Sequence, residues 1–278
     1  MRYTAPMKLN RQLTSQTSGE RAIDLIAAHV PELSRQQIKQ AMQKGAVWIK
    51  LSKEGKGKHE KRLRRVTQPL QTGATIAIYY DDDLLSRKTE VPTLVSDEKD
   101  YSVWIKPAGM LSQGTKYGDH CSLLFAAEQY FQPRRACFLV HRLDSAASGL
   151  MLIAHNSRAA AAFSEMFQKR EMTKRYQVTV EGLLDENIKT ICEPLDDKEA
   201  ITHIESINHL PDNRSELTVR IETGRKHQIR RHLAGMGHAV IGDREYGSSF
   251  TKEPLQLAAT ELSFVCPLTK KQKNYFLP

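Results

Sequence analysis

Nowhere in this chain of 278 residues do apolar side chains run on for the roughly 20 positions that a bilayer-spanning helix requires, and the opening Met1-Arg2-Tyr3 lacks the apolar segment of a signal peptide. The expectation is a cytoplasmic protein with no membrane partner. Cysteine is scarce: Cys121, Cys137, Cys192 and Cys266 are scattered without a C-x-x-C pair, which argues against a zinc site and a disulfide framework. Asn213-Arg214-Ser215 has glycosylation spacing, but a cytoplasmic chain never meets that machinery. Gly114-Thr115-Lys116 has the wrong residue order for a nucleoside triphosphate loop. Acid is in deficit, with 32 Asp and Glu against 41 Lys and Arg, a net charge of +9. Such an excess points to a polyanionic partner, nucleic acid or an anionic membrane face, against the plain alternative of a solvated basic surface.

What is present divides into two regions and a connector. From Ser18 to Tyr80, Ile23, Ile26, Ala27 and Val30 repeat at helical spacing before Pro31, and Ser34 then suits the N-cap of a second helix bearing Ile38 and Met42 and ended by Gly45. Val47 and Ile49 alternate as a strand, and a glycine-containing basic stretch follows, with Lys53, Lys56, Lys58, Lys61, Arg62, Arg64 and Arg65. It reads either as a flexible arm that neutralises phosphates or as a solvated loop. Gly73 to Tyr80 closes the region as a strand, and Asp81-Asp82-Asp83 reads as solvated linker rather than a metal site. The boundaries expected are a module over 1–85, a linker over 86–98 and a main domain over 99–278.

Within the main domain, Val103 to Lys106 reads as a strand ending at Pro107-Ala108-Gly109, and Asn156 caps a helix carrying Phe163, Met166 and Phe167 on one face. Tyr176, Val178 and Val180 share the apolar face of an alternating strand. Arg225 to Leu233 can form a helix that buries Ile229 and Leu233, and Lys226 and Arg230 then share another face near its start. Cations there oppose the helix dipole, so folding alone does not favour them, whereas an anionic partner would. Leu255 to Ala259 and Leu262 to Pro267 supply two final strands.

The chain's most unusual segment is Phe138 to Ala154, in which two apolar runs of strand character flank His141-Arg142-Leu143-Asp144-Ser145-Ala146-Ala147. Its one acid, Asp144, faces a desolvation penalty that only a cation or hydrogen bonds can offset. A turn-opening Asp is the alternative reading.

Taken together, Lys106-Pro107-Ala108-Gly109, His141-Arg142-Leu143-Asp144 with Ser148-Gly149-Leu150, Lys174-Arg175-Tyr176 through Gly182, and Thr223-Gly224-Arg225-Lys226-His227-Gln228-Ile229-Arg230 with Gly242-Asp243 and Tyr246-Gly247 resemble the motifs of the RluA-type family of RNA pseudouridine synthases. Leu33-Ser34-Arg35, Ile38-Lys39, Gly45 and Val47 resemble an S-four-like RNA-binding module.

The resemblance implies an α+β fold: a catalytic domain of mixed, mostly antiparallel sheet with flanking helices and a central cleft, plus the small N-terminal α/β module. It implies an isomerase that converts uridine to pseudouridine in ribosomal or transfer RNA, with no cofactor and no metal, as a monomer. Asp144 would be the catalytic carboxylate, Arg230 its partner, and Tyr176 the ring against the target base. Arg142 would fill the vacated stack and Leu257 pack beside the base. His141, Lys106, Arg225, Lys226 and His227 would contact RNA, as would Arg35, Lys39, Lys61, Arg62, Arg64 and Arg65 in the module. The alternative of a different class is an RNA-binding or ribosome-assembly factor that keeps the fold without turnover.

Overall fold

The computed structural model describes residues 6–53, 56–250 and 252–278, so the opening Met1-Arg2-Tyr3 lies outside the described residues. Two compact units are formed, one by residues up to Lys88 together with Gln113–Phe125, the other by Thr89–Ser112 and Ala126–Pro278.

The first unit begins with strand β1 (Lys8–Thr14), helices α1 (Ala22–His29) and α2 (Arg35–Gln43), strands β2 (Val47–Lys53), β3 (Lys56–Arg62) and β4 (Thr75–Asp81), and a short α3 (Asp82–Ser86). Ser34 starts α2 through a capping box: its hydroxyl accepts from the Gln37 amide, and the Gln37 side chain returns to the Ser34 amide. Gly45, with φ +81°, ends it in the left-handed conformation that glycine adopts without strain. The sheet order is β1-β4-β2-β3, all antiparallel, and Ile26, Ile38, Met42, Ile76 and Ile78 fill the core beneath it.

Three readings of this region change. The basic stretch is neither a free arm nor a loop over 56–62, because β3 pairs with β2 in the register Trp48↔Arg62 and Ile49↔Lys61; residues 54 and 55 of that stretch lie outside the described residues. Its strand character is carried by backbone pairing at a sheet edge, where no apolar alternation is required. Arg62 and Arg64 turn inward: both pair with Asp119, Arg62 through Nε at 2.9 Å, and Arg62 also donates to the Thr115 carbonyl at 2.9 Å. Those pairings explain why Gln113–Phe125, expected in the main domain, belongs to the first unit. Asp81 and Asp82 are likewise not linker: Asp81 accepts from the Leu84 amide to cap α3, and Asp82 accepts from the Met7 amide and the Tyr80 hydroxyl.

The second unit contains β5 (Thr93–Asp97), β6 (Tyr101–Lys106), most of α4 (Leu123–Tyr130), β7 (Phe138–Leu139), β8 (Ser148–Ala154), α5 (Ser157–Gln168), β9 (Thr173–Glu181), β10 (Thr190–Ile191), β11 (Thr202–Leu210), β12 (Arg214–Ile221), α6 (Gln228–Gly235), β13 (Leu257–Val265) and β14 (Gln272–Phe276). One ten-stranded sheet runs β10-β11-β12-β9-β13-β8-β6-β5, with β14 beside β13 and β7 beside β8. Every pairing is antiparallel except β8 with β13. The expected linker 86–98 contains β5, an edge strand on β6, and the two final strands expected at 255–259 and 262–267 are one strand bent by a bulge between Ala259 and Glu261. Asn156 caps α5 by accepting from the Ala159 amide, and Phe163 and Met166 pack onto Tyr101, Leu152 and Phe264. A second core gathers Tyr176, Val178, Leu217, Val219, Ile229, Leu233 and Leu257.

Strand β8 is buried along almost its whole length, and at its start the backbone of β13 comes so near that a Cβ on Gly149 (φ +112°) would lie 2.2 Å from the Ala259 carbonyl oxygen. Only glycine permits that junction. At the end of β6, Lys106 is wholly buried, and its ammonium donates to the carbonyls of Pro107 (3.0 Å), Met110 (2.9 Å), Ser145 (3.3 Å) and Ala147 (2.6 Å). Burial lowers its pKa to about 8, with Asp144 opposing the shift. Lys106 is therefore no RNA contact; it ties the Pro107–Met110 turn to the loop that holds Asp144. Replacing it by Met leaves several buried carbonyls unpaired and should lower unfolding free energy by roughly 3 kcal/mol or more. In denaturant titrations the gap between wild type and K106M should also widen from pH 8 to 10, because the folded state binds the Lys106 proton less tightly than the unfolded chain does and so gains stability as that proton leaves.

Candidate active site

Asp144 sits between β7 and β8 on a loop whose backbone is held from both sides. The Ser112 hydroxyl accepts from the Leu143 amide at 3.0 Å and donates to the Leu143 carbonyl at 2.7 Å, while the Gly109 amide donates to the Ser145 carbonyl at 2.7 Å. The turn after β6 thus fixes the peptides flanking Asp144. Its carboxylate is a quarter exposed, so it stands at the surface of the unit rather than inside the sheet as the apolar flanks suggested.

Two basic groups reach it, one at each oxygen. Arg230 Nη1 lies 3.3 Å from Oδ2, and His227 Nε2 lies 3.7 Å from Oδ1. The short bonds of Arg230 go elsewhere: Nε and Nη2 grip the two oxygens of Asp243 at 2.7 and 2.8 Å, and Nη2 also reaches Glu245 at 3.2 Å. Asp243 has no exposed side-chain surface and also accepts from the amides of Glu245 and Tyr246. Burial works against its charge, but Arg230 and those amides hold its pKa below the usual carboxylate range. For Arg230 burial is likewise the largest opposing effect, outweighed by Asp243 and then Asp144, so the guanidinium stays charged. Its plane lies over the Tyr246 ring, 5.0 Å from the centroid. The consequence for Asp144 is a cation that is permanent and rigid yet not locked onto it, which leaves lone pairs available for chemistry.

The helix that carries Arg230 is set by its own entry. It begins at Gln228, not Arg225: the Gln228 side chain accepts from the Thr223 hydroxyl (2.7 Å) and the Arg225 amide (3.1 Å) and donates to the Ile201 carbonyl and Thr202 hydroxyl, each at 3.0 Å. Arg225 donates through Nε to the Glu199 carbonyl, and Lys226 is exposed. Arg231 makes a two-pronged contact with Asp196, each arm 3.0 Å.

Tyr176 lies in β9 opposite Ala259 and Val219, in the same apolar cluster as Leu257. Burial, with the Asp144 charge adding to it, pushes its phenol above the ordinary tyrosine range, so it is neutral at physiological pH. Arg142 is exposed beside Asp144 in the chain. His141 is not an RNA contact: its Nε2 accepts from the Leu152 amide at 2.9 Å, its ring stacks on Phe167 at 4.6 Å between centroids, and burial, with Lys174 nearby, lowers its pKa to about 3. An uncharged imidazole spent on the sheet has no cation to offer a phosphate. The structure thus brings Asp144, Arg230 and His227 together, and adds Ser112, Asp243, Glu245 and Tyr246, which sequence reasoning did not assign. The signal for the second acid was the place of Asp243 in the Gly242-Asp243 motif that the resemblance covers.

Comparison with known proteins bears on this geometry. A family model described as RNA pseudouridylate synthase matches residues 100–235, which include Asp144, Tyr176 and Arg230. The dual-specificity RNA pseudouridine synthase RluA of Vibrio parahaemolyticus is 32% identical over 195 residues, covering 62% of this chain and 77% of that protein. The ribosomal large subunit pseudouridine synthase D of Yersinia pestis is 27% identical, over 87% of this chain and 77% of its own length. A solved structure, human RNA pseudouridylate synthase domain containing 1, shares the fold with a TM-score of 0.55 at 22% identity, covering 69% of this chain and 86% of that one. On the strength of the RluA relative, most of whose length is matched, and of a mostly antiparallel fold shared with that structure, the chain belongs to the RluA-type family of RNA pseudouridine synthases, isomerases acting on RNA.

Proposed function

We propose that this enzyme isomerises a uridine of ribosomal or transfer RNA, with Asp144 as the carboxylate that acts on the sugar. The observation that carries the reading is the division of labour around Arg230, whose short bonds to Asp243 leave a looser 3.3 Å contact to Asp144. Isomerisation breaks the bond between uracil N1 and ribose C1′, turns the base, forms a C5–C1′ bond, leaves a proton on N1 and releases the C5 hydrogen to water. Atoms balance without oxidant or reductant. A carboxylate serves this by attacking C1′ or by taking a proton from the sugar, and in either case it must be ionised yet not tied up by a short ion pair.

The other residues take roles that suit their surroundings. A neutral phenol in an apolar cluster suits Tyr176 to lie against the target base, with Leu257 beside it. The exposed guanidinium of Arg142 suits the stack that the flipped base vacates, since reaching a stacked uridine costs a few kcal/mol. Arg225 and Lys226, at the entry to α6, are placed for phosphate. In the S-four-like module, Lys39, Lys61 and Arg65 are exposed and supply the RNA-facing charge, whereas Arg62 and Arg64 pair with Asp119 and Arg35, though exposed, pairs with Asp24 at 2.8 Å. The enzyme acts as a monomer, in the cytoplasm and without a cofactor.

Tritium release from RNA labelled at uracil C5, prepared from cells lacking the protein, tests the central claim. Wild type should release label and Asp144→Asn, nearly isosteric but uncharged, should not; retained release by the variant would favour the non-catalytic RNA-binding reading. Asp243→Asn should lower turnover roughly 10-fold or more, because the freed guanidinium closes onto Asp144 and reduces its reactivity. Urea titration of that variant should show a loss of about 3 kcal/mol or more from the broken buried pair. For the module, replacing Lys61 and Arg65 together by Ala should reduce the slope of log affinity against log salt by about 2, with turnover at saturating RNA unchanged.

A further inference from the structure

His227 occupies a position for which folding supplies no imidazole. Its backbone lies at φ 54°, ψ 30°, the left-handed region that favours glycine or asparagine. It is also the N-cap of α6, where Ser, Thr, Asp or Asn would bond the first turn, and its side chain makes no such bond. A residue chosen to cap the helix start would differ, whereas the left-handed backbone itself accepts histidine. The reason for histidine must therefore lie in what its ring reaches. With side-chain exposure of only 15%, that is protein rather than RNA: Nδ1 lies 2.9 Å from the Tyr246 hydroxyl and 3.4 Å from Glu245, and Nε2 lies 3.7 Å from Asp144 Oδ1.

We propose that His227 is a positioning residue for the catalytic carboxylate, holding through Nε2–H the Asp144 oxygen that Arg230 leaves unclaimed. The inference rests on the reading of Asp144 given above. Arg230 approaches Oδ2 and His227 approaches Oδ1, so together they set the rotation of the carboxylate about its Cβ–Cγ bond, which neither contact sets alone. The Tyr246 hydroxyl engages Nδ1 at 2.9 Å, which fixes the ring with Nε2 toward Asp144. Burial raises the Tyr246 phenol, and Glu245 adds to the shift through its charge and a hydrogen bond with the hydroxyl. Glu245 itself is drawn to Arg230 Nη2 at 3.2 Å. At 3.7 Å the approach of Nε2 to Oδ1 is longer than a hydrogen bond, so a small movement of the ring or the carboxylate closes it.

Two substitutions separate this role from a backbone role. Asparagine suits the left-handed backbone but its amide reaches only as far as Nδ1, whereas glutamine is poor for the backbone and places an N–H near the position of Nε2. Single-turnover tritium release, RNA affinity and thermal midpoint should be measured for His227→Asn, His227→Gln and His227→Gly, beside wild type and Asp144→Asn. Gly and Asn should lose turnover by roughly 10- to 100-fold, the scale of a misplaced reacting group, with RNA affinity within experimental error of wild type. Gln should recover part of that rate despite a lower thermal midpoint than Asn. Asn matching or exceeding Gln in rate would overturn the proposal in favour of a backbone role, and a fall in RNA affinity with turnover intact would overturn it in favour of RNA contact. Should Asp144→Asn itself release label, the reading of Asp144 fails and this one with it; a silent Asp144→Asn beside fully active His227 variants would overturn only the positioning role.

Discussion

A buried guanidinium that must be neutralised organises the catalytic unit. Arg230 has little exposed surface, so its donors must find acceptors within the protein, and it does so by dividing them between Asp243, Glu245 and Asp144. Asp243 takes the short, two-pronged share and fixes the guanidinium plane; Asp144 receives what remains. A cation bonded first to a fully buried acid and only then to Asp144 stays beside that second carboxylate without being committed to it.

The scaffold supports that arrangement by binding the Asp144 loop through its backbone. Lys106 collects the carbonyls of Ser145 and Ala147, and Ser112 bonds both peptide groups of Leu143, so the loop on either side of Asp144 is gripped by the turn that follows β6. These are buried polar contacts in low dielectric, where every bond made is strong and every bond lost is costly. A loop held this way can carry an exposed acid without the acid wandering.

The first unit shows the same economy of charge. Its basic strand β3 and the residue pair Arg62 and Arg64 look alike in sequence, yet Asp119 draws those two arginines into the unit while Lys61 and Arg65 remain exposed. The count of basic residues therefore overstates the exposed basic surface, because Arg62 and Arg64 are spent on Asp119.

Local chemistry is what the sequence by itself determined. The N-cap at Ser34, the cap at Asn156 and the alternation around Tyr176 were legible because caps and period-two burial act between neighbours in the chain, while the mostly antiparallel sheet was legible only through the family resemblance. The motif residues Asp144 and Arg230 could be named, and the tertiary structure then set them 3.3 Å apart across 86 positions of sequence. What only the tertiary structure decided is how each polar residue spends its bonds. Lys106, His141, Arg62 and Arg64 read as RNA contacts because a cationic or titratable side chain in a motif looks the same whether it faces solvent or core. Their partners are carbonyls, an amide and an acid far away in sequence, and burial is a property of the folded chain rather than of the residue. Likewise the second acid on Arg230 follows from the meeting of α6 with the loop at Asp243, a proximity that no spacing along the chain encodes.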